Sequence, residues 1–211
     1  MWQVDMLEQV IAGRLGDKEQ PPDSNNTIYT REYGAVGAPW CVIFLWWCFR
    51  EAGLGACFYG GNKTASCSQL LSWARQRGQI VPTASACRGD VALLSFTGSK
   101  SPEHCGWITD ACNGVLLTIE GNTSAAGSQD NGGIVMRKSR QARNVVAVWR
   151  PDYKLVTDYS GRWSEKHIQA VLSSGLMVGD PDGRFRPRDP VTREELAAVL
   201  DRLLGGGDVA R

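Results

Sequence analysis

Up to about Gly78 the apolar residues of this 211-residue chain recur at helical spacing; beyond it they arrive in short runs separated by turn residues. That switch confines the chain to an α+β class, in which N-terminal helices pack on an antiparallel sheet. Leu7, Val10, Ile11 and Leu15 predict a first helix over 4–15, with Gly16 as its stop. The stretch DKEQPPDSNNTIYT reads as turn and loop. A second helix begins near Pro39 or Trp40, since proline is tolerated in a first turn. Its pattern of Val42, Phe44, Leu45, Cys48 and Phe49 runs to Gly53. A third covers 66–76, with Ser66 or Thr64 as cap and Leu70, Leu71 and Ala74 as its buried stripe. The β-rich runs are 90–96, 104–111, 114–121, 133–138 and 144–151, which closes a first domain over 1–152.

From about Thr157 the pattern changes again. Trp163, His167, Ile168, Val171 and Leu172 mark one amphipathic helix, GDPDGRFRPRDP a turn-rich loop, and Thr192 with Glu195 a capping box. Leu196, Val199, Leu200 and Leu203 supply the apolar stripe of that last helix. A two-helix unit over 153–205 buries little by itself, so it is expected to pack on the first domain or on copies of itself. Residues 206–211 read as a flexible tail.

Charge excludes one class of partner. The 23 Lys+Arg nearly cancel 22 Asp+Glu, for a formal charge of +1, and nucleic-acid binding calls for a concentrated basic face. The seven cysteines form no CxxC pair and no metal-ligand spacing with histidine, so neither a structural zinc site nor a redox pair is expected. Their odd number and spread suit mostly free, buried thiols. The first residues carry Asp5 and Glu8 and do not read as a secretory signal. The longest apolar run, Cys41 to Phe49, falls far below the ~20 residues that cross a bilayer, so no membrane insertion is expected. These readings predict synthesis in a cytoplasm, with any action outside requiring a separate means of release.

A cysteine in the first turn of a helix sits at the positive end of the helix dipole, which favours its thiolate. Among the seven, Cys41 alone has that predicted setting, directly after Ala38, Pro39 and Trp40. The chain has two histidines; His104 heads a strand, and Glu120, Gly121 and Asn122 end the next. Together they supply a nucleophile, its base and the groups that orient the base. Taken singly, the bland readings are a buried thiol, a surface histidine and a solvated acid, and Cys48, seven residues after Cys41, reads as packing. The geometry turns on hairpin register. With a two-residue Asn113-Gly114 loop, Cys112 pairs with Val115, and His104 and Glu120 fall on opposite faces. With a three-residue loop Ala111 pairs with Val115, and His104 stands opposite Asn122 on the face of Glu120. The chemistry selects the longer loop; a two-residue turn without a compensating bulge removes the acid from the site. In the assembled site Cys41 attacks an amide carbonyl, His104 takes or holds its proton, Glu120 and Asn122 orient the ring, and water resolves the thioester.

These residues resemble the CHAP family of cysteine amidohydrolases and peptidases, papain-like enzymes that cut peptidoglycan. The resemblance runs through MLEQVIAGRLGDKE, NNTIYTREYG, APWCVIFLWWCFREAGL, RGDVALL, HCGWI and TIEGNT. It implies a papain-like fold, a peptidoglycan substrate, no cofactor, and catalytic roles for Cys41, His104, Glu120 and Asn122. The calcium-binding acidic cluster of some members has no counterpart before Cys41. The C-terminal segments GRWSEKHI, GLMVGDPDGRFRP and VTREELA resemble one S-layer homology module. That resemblance implies docking to secondary cell-wall polymers, with Trp163, Asp182 and Arg193 as candidate contacts; Arg193 equally reads as a capping or ion-pairing residue. Such modules usually stand three in tandem, so a single copy implies either a trimer of chains, weak binding, or packing on the enzyme. Jointly the resemblances imply a modular lysin, an N-acetylmuramoyl-L-alanine amidase or an endopeptidase. A phage endolysin released through a holin pore is the expected origin, with a bacterial autolysin or an inactive wall-binding protein as the alternatives.

Overall fold

The computed structural model describes residues 1–125 and 132–205; the tail expected at 206–211 lies outside the described residues. The chain divides into two compact units, one of residues 3–155 and one of residues 156–211 with the first two residues. The larger is α+β. Its helices are α1 (Trp2–Ala12), α2 (Ile28–Tyr33), α3 (Cys41–Glu51) and α4 (Cys67–Gln76). Its strands are β1 (Ile80–Val81), β2 (Val91–Leu94), β3 (His104–Cys112), β4 (Val115–Thr123), β5 (Ile134–Gln141) and β6 (Val145–Trp149). They form one antiparallel sheet in the order β1-β6-β2-β3-β4-β5.

Every residue of α3 from Cys41 to Phe49 is buried, as expected of a helix apolar all round. Tyr29 of α2 stacks on Trp40 at 5.5 Å and meets Phe44 and Trp47 edge-on at 5.1 and 5.2 Å. Phe49 stacks on Trp149 of β6 at 5.9 Å. Aromatic pairs of this kind add about 0.5–1.5 kcal/mol each beyond the area they bury. A second apolar cluster, Ala92, Leu94, Ile108, Leu116 and Val148, is built by alternate residues of the sheet.

Two local expectations are corrected. The stretch read as loop through IYT contains the start of α2. Thr27 caps it, accepting from the Thr30 amide while the Thr30 hydroxyl accepts from the Thr27 amide. The usual box has Glu or Gln in the third helical position, and a threonine there hides the signal. The β3–β4 turn has two residues rather than three: Cys112 pairs with Val115, and Asn113 and Gly114 both have positive φ (51° and 75°). An Asn-Gly pair in that conformation matches the twist of the flanking strands. The required register is recovered further along. Between Asp110↔Leu117 and Ile108↔Thr118 a bulge leaves Thr109 unpaired, and its hydroxyl donates to the Leu117 carbonyl at 3.1 Å. The extra residue shifts pairing by one, so that Trp107 meets Ile119. Continued three residues further, the same register sets His104 opposite Asn122 and on the face of Glu120.

The smaller unit contains α5 (Glu165–Ser173) and α6 (Arg193–Leu203). Thr192 and Glu195 make the expected capping box on α6. Trp163, read as part of the first helix, precedes α5 and is 90 % exposed. The predicted stripe of α6 is open: Leu196, Leu200 and Leu203 are exposed, because so few residues cannot enclose it. The loop between the helices is held by Asp158, whose carboxylate accepts the amides of Phe185 (3.0 Å) and Arg186 (2.7 Å). Among the described residues, no helix is long and apolar enough to cross a membrane.

Candidate active site

Cys41 is the first residue of α3, behind the fully buried Trp40. His104 is the first residue of β3, and its Nε2 lies 3.0 Å from Glu120 Oε2, with both side chains wholly buried. Around the carboxylate, Thr118 Oγ1 donates to Oε1 at 2.6 Å and Arg140 Nε donates to Oε1 at 2.8 Å. Arg140 also lays its guanidinium over Phe96 at 4.7 Å. Sequence reasoning missed Arg140. It lies on β5 beyond the run assigned to that strand, and nothing local distinguishes it from the neighbouring surface arginines.

Two glycines make the arrangement possible. A Cβ at Gly106 would fall 2.6 Å from Glu120 Cγ, so the bare backbone of β3 is what leaves room for the carboxylate to reach along the sheet to His104. A Cβ at Gly121 would fall 2.7 Å from Phe44, so the middle residue of the EGN triplet lets α3 close onto β4. Asn122, expected to orient the imidazole, has a left-handed backbone (φ 57°) at a bulge between Glu120↔Met136 and Thr123↔Ile134. Its Oδ1 accepts the Gly133 amide at 3.1 Å, and its carbonyl accepts the Gly132 amide at 3.0 Å. Those bonds fasten the approach to β5, while Glu120 holds Nε2.

The site is electrostatically polarised. Hydrogen bonds from Cys105 and Cys67 hold the Cys41 thiol well below the ordinary range; burial opposes them and His104 reinforces them. Burial works against a charged His104, but Cys41 and Glu120 outweigh it and raise the ring to about 9. Burial also works against a charged Glu120, yet the bonds from Arg140 and His104 hold its carboxyl down at about 2. At neutral pH these directions give thiolate, imidazolium and carboxylate in sequence, with Arg140 beyond. Nδ1 of His104 is buried without a hydrogen-bond partner among the described residues, and Cys41 and Glu120 both bear on the ring electrostatically.

Cys41 is not alone at a helix start. Cys67 is the first residue of α4, capped by Ser66, and its sulfur is 3.9 Å from that of Cys41. Cys105, on β3, completes a set of three buried sulfurs within 4.8 Å of one another. Linear spacing gave no hint of this convergence, because the three come from two helices and a strand. Burial and the neighbouring Cys41 push Cys105 up; at Cys67 a bond from Cys105 pulls down, and Cys41 and burial prevail to raise it. His104 adds to the bonds from Cys105 and Cys67 that lower Cys41. All seven cysteines are free thiols. A groove of about 550 Å³ lies between α4 and the segment before β3, its walls including Ser68, Arg75, Lys100 and Pro102, close in sequence to Cys67 and His104.

In the smaller unit the candidate contacts each have neighbours of their own. Trp163 meets the His167 ring at 6.1 Å, Asp182 accepts the Arg184 amide at 3.1 Å, and Arg193 stands exposed at the start of α6. No hydrogen bond, ion pair or ring contact joins the three among the described residues. A cleft of about 380 Å³ in this unit is lined instead by Asp180, Phe185, Arg186, Thr192, Glu195 and Arg202.

Residues 157–197 match the S-layer homology domain, so the C-terminal unit carries that domain. Proteins similar to this chain include the outer membrane protein SlpA of Deinococcus radiodurans, 36% identical over 64 residues, which are 30% of this chain and 6% of SlpA. A cellulosome-anchoring protein of Acetivibrio thermocellus is 36% identical over 50 residues, 24% of this chain and 11% of that protein. An endoglucanase of a Bacillus species is 40% identical over 40 residues, 19% of this chain and 4% of the endoglucanase. The chain thus spans only a small part of the curated relatives it matches. The expectation of a cytoplasmic protein released through a phage pore is overturned here: proteins sharing the domain are named as outer membrane and anchoring proteins, which points to the cell surface.

Proposed function

We propose that the larger unit is a thiol hydrolase that cleaves an amide bond of peptidoglycan at the cell surface, and that the S-layer homology domain tethers it to secondary wall polymers. One observation carries the reading: a helix-start cysteine held as thiolate beside a histidine whose far nitrogen is fixed by a buried carboxylate at 3.0 Å. Those are the parts that acyl transfer to sulfur requires. The Cys41 thiolate attacks the carbonyl carbon, and the oxyanion meets backbone amides at the start of α3, including that of Cys41. His104 then gives its proton to the leaving amine, and the carbon–nitrogen bond breaks to leave a thioester. Water enters, His104 takes a proton from it, and the carboxylate product departs as the thiolate reforms. Glu120 keeps the ring oriented and charged through the first half of the cycle. Asn122 supports the site through the backbone that it ties at the end of β4.

The groove beside Ser68 and Pro102, with Arg75 and Lys100 on its walls, suits a substrate bearing carboxylates, as wall peptides do. Digestion of purified walls followed by mass spectrometry tests the reading. New L-alanine amino termini with free lactyl ends mark an amidase, and other new termini mark an endopeptidase. Binding to walls without any new terminus would leave a wall-binding protein and remove the hydrolase.

The exposed Leu196, Leu200 and Leu203 on α6 support assembly of three chains through their single domains. Light scattering on the intact chain is expected to give three times the 23.0 kDa chain mass. A monomer across the micromolar range would discard the trimer.

A further inference from the structure

We propose that Cys41, Cys67 and Cys105 form a binding site for one soft divalent ion of the zinc class, with Nδ1 of His104 as the fourth ligand. Zinc holds thiolates at about 2.3 Å in a tetrahedron, which sets ligand sulfurs about 3.8 Å apart. Cys41 and Cys67 are already 3.9 Å apart, and all three sulfurs lie within 4.8 Å. Ligation therefore asks the sulfurs to close by about 1 Å or less, in a pocket made by two helix starts and a strand, and asks His104, whose ring nitrogens lie outside that 4.8 Å set, to swing toward them. The second observation is independent of the sulfurs. His104 keeps Nδ1 buried and unpartnered while Nε2 is held by Glu120, and a carboxylate on the far nitrogen is the outer-shell pattern that orients a metal-bound histidine. Three buried sulfurs with one imidazole select zinc, cadmium or cobalt over magnesium or calcium, which demand oxygen.

Binding exchanges the sulfur–hydrogen bonds of Cys67 and Cys105 and the Nδ1–hydrogen bond of His104 for bonds to the metal, with the Cys41 thiolate joining as it stands; the three protons pass to solvent, and no electron moves. The ion takes the sulfur of Cys41 and the free nitrogen of His104 at once. The loaded protein is thus held silent until a chelator or a competing site removes the metal. That consequence rests on the reading of Cys41 as nucleophile; the binding itself does not.

The test is a titration of the reduced full chain with Co²⁺, followed by displacement with Zn²⁺. One Co²⁺ per chain is expected, with sulfur-to-cobalt charge-transfer absorption and the intense visible bands of a tetrahedral site. Cys67→Ser and Cys105→Ser are each expected to remove roughly a third of the charge-transfer intensity and to weaken binding at least about tenfold. Cys48→Ser, at a buried cysteine outside the cluster, keeps the native spectrum. A second measurement needs no variant: Zn²⁺ added to the native chain protects Cys41, Cys67 and Cys105 from alkylation, mapped by mass spectrometry. No charge-transfer band, a band unchanged in both serine variants, or protection at other cysteines overturns the site. Metal binding by a chain that leaves walls intact would keep this site and discard the hydrolase; wall cleavage by a chain that binds no metal would do the reverse.

Discussion

Cys41→Ala is expected to abolish wall cleavage, lowering the rate by about 10⁴-fold or more, while the chain keeps its fold. The nucleophile is the one group in the proposed cycle that forms a bond to carbon, and the groups that serve it contribute little once it is gone. Neighbouring thiols cannot replace it. Cys67 and Cys105 are raised above the ordinary thiol range, and His104 serves Cys41. The substitution removes one buried sulfur from the first turn of α3, and the helix start depends on backbone bonds such as the Phe44 amide to the Trp40 carbonyl at 2.8 Å, which alanine keeps. Turbidity of purified walls and the count of new termini read the loss, with circular dichroism as the check on folding. Equal clearing by the native chain and the variant would end the thiol mechanism.

The largest effect on stability is expected from Arg140→Met, a loss of about 3–5 kcal/mol, because removing one partner strands a buried carboxylate. Arg140 is buried and bonds both oxygens of Glu120, and its guanidinium also covers Phe96. The pH dependence has a definite sign. Glu120 titrates at about 2 in the folded chain, below the ordinary carboxylate value of about 4.3, so it contributes stability above about pH 4 that is lost as pH falls toward 2. Without Arg140 that depression shrinks. The gap between native and variant in urea denaturation is therefore expected to be widest near neutral pH and to narrow as acid neutralises Glu120. A gap that stays constant from about pH 7 to about pH 3 would assign the loss to packing over Phe96.

Part of the site is written locally. Residues between Pro39 and Phe49 announce a buried helix with a cysteine at its start, because helical period, proline placement and apolar run are short-range signals. The hairpin register was legible only in part. The Asn113-Gly114 pair dictates a two-residue turn, and the bulge at Thr109 that rescues the register has no local marker. Cys67 hid in plain view at the start of α4, since its importance depends on a sulfur 26 positions away. Arg140 was silent for the same reason: a buried arginine and an exposed one look alike until the strand that carries it finds its place.

What the amino-acid order determined by itself is the kind of each element and the chemistry on offer: helices before strands, a thiol, an imidazole, a carboxylate, and the C-terminal pattern of an S-layer homology domain. What only the tertiary structure decided is which of these groups act together. Backbone propensity acts over a few residues, whereas the charge on Cys41, the tilt of His104 and the burial of Glu120 with Arg140 arise where α3, α4, β3, β4 and β5 meet, at separations no local pattern encodes.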